Sequence, residues 1–557
     1  MDLNLTRLQH AFRTGAATPE QAMQAALDRM TDPAVWITRV PVAALLAQAR
    51  AADVSRPLGG VLFAVKDNID VAGLPTTSAC PALATTPDRH APCVQRLVDA
   101  GAIVVGKTNM DQLATGLVGV RSPYGVPVNP FNAAYVPGGS SSGSAVTVAT
   151  GCVSFALGTD TAGSGRVPAG LNNVVGLKPT RGWISTTGVV PACRSLDCVS
   201  ILALTVADAL AVLDVAGAYD PADPYARVPA PVAFTGLRIG VPSALHDASF
   251  AASIARARTL GATIVSVDYA PFAEAARMLY GPWSAERAAA HGNLLDQPGA
   301  LLPVIQTILE AGRAVTGPAL FQAQHRLAAL IRDTAPVWAS IDCMMLPTFP
   351  AAPTLADVAA DPIGANARLG TYTNFVNLMD LAALAVPAGF DANGMPYGVT
   401  LVGPAWSDHA LAALGTRLHH TAGLTLGAGM ATLPHDGVEI AVFGAHLAGQ
   451  PLNADLVARG GCFVRACHTA PAYRMTLLPG PPPRPALVRG GTAALPGEIW
   501  ALPAEALAGF LATIAAPLGL GTVQLDHGPA LGFISEPADG PDITQYGGWR
   551  GWLTRDS

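Results

Sequence analysis

Apolar positions along this chain fall into two alternating rhythms. Residues 4–30 place them at helical spacing, and "TPEQAMQAALDRM" opens like a capped helix, with Thr18, then Pro19 at the first helical position, then Glu20. "LGGVLFAVKDNID" (58–70) is an unbroken apolar run ending in polar residues, which predicts a buried strand and a turn. "VQRLVDAGAIVVGKTNMD" (94–111) predicts helix, glycine-containing loop, strand and loop, and "SAVTVATGCVSFALGTDT" predicts a helix and then a strand. Strands separated by helices predict an α/β core with a mixed, largely parallel sheet whose strand ends carry the functional loops.

From 203 to 335 the pattern is mostly helical and alanine-rich, with one strand at "LRIGVP"; "ILALTVADALAVLDVAGAY", interrupted by Asp208 and Asp214, reads as a buried helix. "IDCMMLPTFP", "LAALAVPAGF" and "GMPYGVTLVGP" predict strands returning to the sheet, followed by a helix at 408–422 and a linker at 422–437. Beyond it, "VEIAVFGAHLAG", "GCFVRACHTAPAYRMTLL", "PALVRGG" and "GEIWALP" are short strands broken by Gly and Pro. A length of 557 residues exceeds one ordinary core. The division expected is a first domain over 1–430 and a small β-rich domain over 438–557.

Composition narrows the class. Half the residues are hydrophobic and 13% are charged, with a net charge of −6 and no basic cluster, which fits a well-buried enzyme and argues against a nucleic-acid binder. The start "MDLNLTRLQHAFRTG" lacks the basic and apolar regions of a signal peptide, and no apolar run reaches the length of a membrane span, so a cytoplasmic protein is expected. Eight cysteines without a CxxC pair, Cys193/Cys198 and Cys462/Cys467 being five apart, read as free thiols rather than a zinc site. Of 33 basic residues only Lys66, Lys107 and Lys178 are lysines. Arginine cannot replace lysine where an amine must lose its proton, so these three are suspects.

"PGGSSSGSAVTVA" (137–149) admits three readings. A linker would stay polar, but this stretch runs into an apolar helix. A phosphate-binding loop needs a lysine after its glycines, and none follows. A nucleophile elbow matches "GSSSG" around Ser141, but no strand precedes it. "LGTDTAGSGRVPAG" (157–170) sets Ser164 behind a predicted strand, after small residues whose backbone N–H groups can converge as an oxyanion hole.

Together, "GVLFAVKDNID", "PGGSSSGSA", "GTDTAGSGRVPA" and "GLKPTRG" resemble the amidase signature family, a resemblance covering residues 1–425. It implies the amidase signature fold and a serine hydrolase needing no metal or cofactor. By position Ser164 matches the nucleophile, Ser140 the bridging serine after a cis peptide bond, Lys66 the base, and Thr161, Ala162, Gly163 and Ser164 the oxyanion hole. Ser142 stands where the family commonly has Gly, and Gly165 where it has a bulky apolar residue. Both departures, with "ATGLVGVRSPYG" and "LYGPWSAER", resemble the allophanate hydrolase branch. That branch implies substrate contacts from Gly116, through an approaching backbone amide, and from Tyr280 and Arg287; the alternative for Arg287 is a surface ion pair with Glu286. Lys107 and Lys178 are expected to be structural, Asp160 to brace the nucleophile loop, and His419–His420 to be ordinary helix residues.

Serine needs a base, and burial beside hydroxyls would lower a lysine by about 3 pH units, enough to make it one. "FGAHLAGQPLN", "TAPAYRM" and "PGEIW" resemble the C-terminal domain of allophanate hydrolases, itself similar to cyclotransferase-like barrels. There the resemblance implies a catalytic His446 aiding decarboxylation of N-carboxycarbamate, with Tyr473 and Arg474 as anion contacts; a role in assembly alone is the alternative. The function implied is hydrolysis of allophanate by a homodimer without nucleic-acid or membrane partners, associated with urea carboxylase or cyanurate-pathway enzymes. The rivals are an amidase for a malonamate-like acid and a component of a tRNA-dependent amidotransferase.

Overall fold

A computed structural model describes residues 3–243, 245, 248–429, 437–448, 450–459, 461–478, 483–526, 528–537, 540–553 and 555. The chain divides into two compact units. The first takes Met1–Ile254, Thr263–Thr416 and Thr425–Ala431, and the second takes Ala255–Ala262, Arg417–Leu424 and Thr432–Ser557. Residues 430–436 of the expected linker lie outside the described residues.

The first unit is built on an 11-stranded sheet. Its strands are β1 (Trp36–Arg39), β2 (Leu62–Lys66), β3 (Ile103–Thr108), β4 (Phe155–Asp160), β5 (Val175–Lys178), β6 (Cys198–Ala203), β7 (Arg238–Pro242), β8 (Thr263–Val267), β9 (Cys343–Pro347), β10 (Leu381–Phe390) and β11 (Pro396–Pro404). They lie in the order β1-β3-β2-β4-β6-β5-β10-β11-β9-β7-β8. β2 runs parallel to β3 and β4, and β7 parallel to β8 and β9. The remaining pairs are antiparallel, which makes the sheet mixed.

β2, β3 and β4 are buried at every residue, as their unbroken apolar runs require. Phe63 and Phe155 stack across β2 and β4 at 5.1 Å. The helix Ser142–Ala149 is buried all round because its residues are small; a side chain at Gly143 would strike the Val35 carbonyl. Strands expected at 58–70, 94–111 and 144–161, the returning strands and the helix Asp408–Ala422 all form.

Two expectations need correction. "ILALTVADALAVLDVAGAY" is not one helix. Its first residues finish β6, and Thr205 then caps a helix Val206–Ala216 by accepting from the Asp208 amide at 3.1 Å. In the stretch read as helical, Thr263–Val267 forms the edge strand β8. It is half-exposed and paired on one side only, so no buried apolar run marks it.

The second unit carries β12 (Gly437–Val442), β13 (Cys462–His468), β14 (Tyr473–Leu478), β15 (Arg484–Arg489), β16 (Pro496–Pro503), β17 (Leu518–Leu525) and β18 (Gly528–Ser535), with a helix Ala504–Leu511. Five strands form a sheet in the order β13-β16-β12-β18-β17, and β14 and β15 form a separate hairpin ribbon. Among the described residues no helix is long and apolar enough to cross a membrane.

Lys107 lies near the end of β3 and Lys178 ends β5. The Lys107 amine meets the Asp67 carboxylate at 3.4 Å and the Thr76 hydroxyl at 2.8 Å, all fully buried. That of Lys178 donates to the Pro179 carbonyl at 2.8 Å. Lys107→Met strands the buried Asp67 carboxylate, and a loss of about 3–5 kcal/mol in denaturant titration is expected. Adding Asp67→Asn restores part of it.

Candidate active site

The site forms where β2 and β4 end side by side. Lys66 is the last residue of β2, and its amine reaches Ser140 Oγ at 2.7 Å and Thr159 Oγ1 at 2.7 Å. Ser140 follows a cis peptide bond from Gly139. Burial pushes the Lys66 amine down to about 7; Asp111, Asp160 and Asp197 oppose the shift, and Arg287 adds to it. No carboxylate hydrogen-bonds this amine among the described residues, so burial wins over the more distant charges.

The other serines of the loop stitch the backbone. Ser141 donates to the Thr159 carbonyl at 3.2 Å, which removes it as an elbow nucleophile, and Ser144 donates to the Leu157 carbonyl at 3.1 Å. Ser142 Oγ lies 3.4 Å from the Asn109 carbonyl.

Ser164 follows β4 in a loop that Asp160 organises. The Asp160 carboxylate takes two bonds from Arg166 at 2.9 Å each, and accepts from the amides of Gly163 at 2.8 Å and Gly165 at 3.2 Å. Arg166 holds this carboxylate below its usual range despite burial. The expected brace is therefore present, and the Gly163 amide is committed to it. The amides of Thr161, Ala162 and Ser164 have no acceptor among the described residues. A side chain at Gly165 would collide with Ser200, which accounts for glycine where a bulky residue is common in the family. Asp197 accepts from the Thr161 hydroxyl and from the amides of Ala192 at 2.9 Å and Cys193 at 3.2 Å, anchoring the other end of the loop.

Ser164 Oγ donates to the Gly116 carbonyl at 3.3 Å. A side chain at Gly116 would strike the Asp111 carboxylate. The residue before it, Thr115, accepts from Arg287 Nη1 at 3.0 Å. Arg287 is buried, and its guanidinium lies over the Tyr280 ring at 5.4 Å. Nε and Nη2 of Arg287 and the Tyr280 hydroxyl have no partner among the described residues. Glu286 bonds instead to the Ser195 amide at 2.7 Å and hydroxyl at 2.6 Å, so the surface-pair alternative does not form. Two donors of a buried fork thus stand unpaired one residue from the group that holds Ser164.

A family model for Amidase matches residues 21–412, and one for the Allophanate hydrolase C-terminal domain matches residues 438–554. The chain belongs to the amidase family. It is an amidohydrolase of the amidase signature fold. Over 542 residues it is 40% identical to the urea amidolyase of Saccharomyces cerevisiae, a match spanning 89% of this chain and 30% of that one. The chain thus spans about a third of the length of the curated urea amidolyases it matches. A component of the glutamyl-tRNA(Gln) amidotransferase of Nitratidesulfovibrio vulgaris is 33% identical over 470 residues, 75% of this chain and 96% of that one. The structure of Kluyveromyces lactis allophanate hydrolase superposes with a TM-score of 0.72 at 38% identity, covering 99% of this chain and 98% of that one.

In the second unit of this amidase, His446 lines a cavity of about 250 Å³ with Asp455, Arg484 and a wall that includes Met475 and Phe533. The imidazole stacks on Phe533 at 5.6 Å and meets Phe510 edge-on at 5.3 Å; burial pushes it down to about 4. Tyr473 and Arg474 do not join it. The Tyr473 hydroxyl accepts from the Gln524 amide at 2.8 Å, and strand alternation turns Arg474 to the face opposite Met475. Arg484 is the cation that reaches the cavity.

His419 is buried on its helix with both ring nitrogens unpartnered, and no group of three metal-ligating side chains occurs among the described residues. The sequence reading missed Thr159, Arg166, Asp197 and Asp111. Arg166 alone carried a signal, as a cation inside a run of small residues.

Only neutral lysine accepts a proton, so kcat/KM is expected to fall about tenfold per pH unit below an inflection near pH 7. A pH–rate profile on any turned-over amide reads it.

Proposed function

We propose that this chain hydrolyses allophanate, releasing ammonia, through an acyl-enzyme on Ser164. The observation that carries this reading is the buried Arg287 fork, two of its donors unpaired among the described residues, over the Tyr280 ring and one residue from the Ser164 contact. A small amide ending in a carboxylate satisfies both donors at once. The match to allophanate hydrolase over nearly its whole length, and the second unit's own family match, favour allophanate over a malonamate-like acid or an amidotransferase role.

The Ser164 hydroxyl turns from the Gly116 carbonyl and passes its proton through Ser140 to neutral Lys66 while Oγ attacks the carbamoyl carbon. The amides of Thr161, Ala162 and Ser164 stabilise the oxyanion, each contributing about 3 kcal/mol. The proton returns to the departing nitrogen, the C–N bond breaks and ammonia leaves. Water then releases the acyl group as N-carboxycarbamate and restores Ser164. In the second unit, His446, neutral at pH 7, and Arg484 receive this dianion; it loses carbon dioxide as its nitrogen takes a proton from water, leaving carbamate.

Ammonia release from allophanate is expected, with little from acetamide; the reverse pattern overturns the reading. Arg287→Met is expected to raise KM for allophanate about 30- to 100-fold, from the loss of a charged hydrogen bond. Ser164→Ala is expected to abolish both turnover and labelling by a fluorophosphonate.

A further inference from the structure

Asp111 lies in the loop after β3, fully buried, and no part of the reaction above uses it. Its two carboxylate oxygens accept from different backbone amides, Oδ1 from Arg121 at 2.8 Å and Oδ2 from Gly119 at 3.0 Å. One amide bond on each oxygen suits the ionised form; burial pushes the carboxyl up, and Arg121, the two amides and Lys66 oppose that shift. Its own amide donates to the Ser140 carbonyl at 3.2 Å.

The chain closes round this carboxylate from two sides. A side chain at either Gly116 or Gly139 would collide with Oδ2. Gly139 precedes Ser140, and Gly116 holds the Ser164 hydroxyl. The intervening turn takes Leu113 and Ala114 through φ of 54° and 50°, a left-handed backbone that side-chain-bearing residues rarely adopt. The Arg121 guanidinium ties the same turn to the Thr115 carbonyl at 2.9 Å.

We propose that Asp111 is a positioning residue for the proton relay: its carboxylate sets Ser140 and Gly116 relative to each other, and its charge acts on the buried Lys66 amine. The charged groups acting on Lys66 are Asp111, Asp160, Asp197 and Arg287, and those acting on Asp111 are Arg121 and Lys66. Asp160 is paired with Arg166, whereas among the described residues Asp111 has no side-chain cation in hydrogen-bond contact. Its charge is therefore the less compensated of the two.

This inference rests on Ser164 and Lys66 acting as nucleophile and base, so the test measures the rate of fluorophosphonate labelling at Ser164 against pH, without a substrate. Wild type is expected to label at Ser164 with an inflection near pH 7. Asp111→Asn keeps the shape, removes the charge and sets an NH2 against a backbone donor. It is expected to label at least tenfold more slowly at the plateau, with the inflection moved down by about one pH unit. The sign follows because a lost negative charge disfavours protonated lysine. Gly116→Ala presses on the carboxylate but leaves its charge, so it is expected to slow labelling tenfold with the inflection unmoved; it also serves if Asp111→Asn does not fold. An unmoved inflection in Asp111→Asn, or wild-type labelling by Gly116→Ala, overturns the role of Asp111. Wild type that fails to label at Ser164 overturns the nucleophile itself, and the relay with it.

Discussion

The first unit depends on an amine buried among hydroxyls. Lys66 ends a strand without an exposed residue, and the groups within its reach are Ser140, Thr159 and the Thr159 carbonyl at 3.5 Å. None of these offers an ion pair. The low-polarity surroundings that would penalise a lysine elsewhere here supply a free base near neutrality. Lys107, in the neighbouring strand and equally buried, shows the contrast: a carboxylate at 3.4 Å holds it in a structural role.

That arrangement needs the backbone to come very close. Gly143 lets the helix after Ser140 lie against the Val35 carbonyl, and Gly165 leaves space that Ser200 fills. Buried carboxylates then fix the loops that carry the chemistry. Asp160 with Arg166 holds the nucleophile turn, Asp197 holds Thr161, and Asp111 holds the turn that reaches both Ser164 and Arg287. Each carboxylate accepts several amide or hydroxyl bonds, which tie its loop at more than one point.

The two units gather different side chains. The first gathers serines, a lysine and a guanidinium with two donors unpartnered among the described residues around a strand end. The second encloses an apolar cavity whose polar side chains are His446, Asp455, Arg484 and Thr513. An imidazole stacked on Phe533 and beside Phe510 is held neutral by its surroundings.

The sequence by itself determined the alternation of buried strands and helices, the change of texture after residue 437, the rarity of lysine and the two small-residue serine loops. These are local properties, set by apolar period and by residues whose size or pKa has no substitute. It could not separate β6 from the helix behind it, because both are apolar and only the Thr205 cap divides them. Nor did it show β8, whose single partner strand leaves it half exposed. Only the tertiary structure decided which serine faces the lysine, since Lys66 and Ser140 are 74 positions apart. It alone turned the Gly116 carbonyl toward Ser164, gave Glu286 to Ser195 and so left Arg287 without a carboxylate partner among the described residues. Such outcomes rest on which distant segments the sheet order brings together, and no local pattern encodes that.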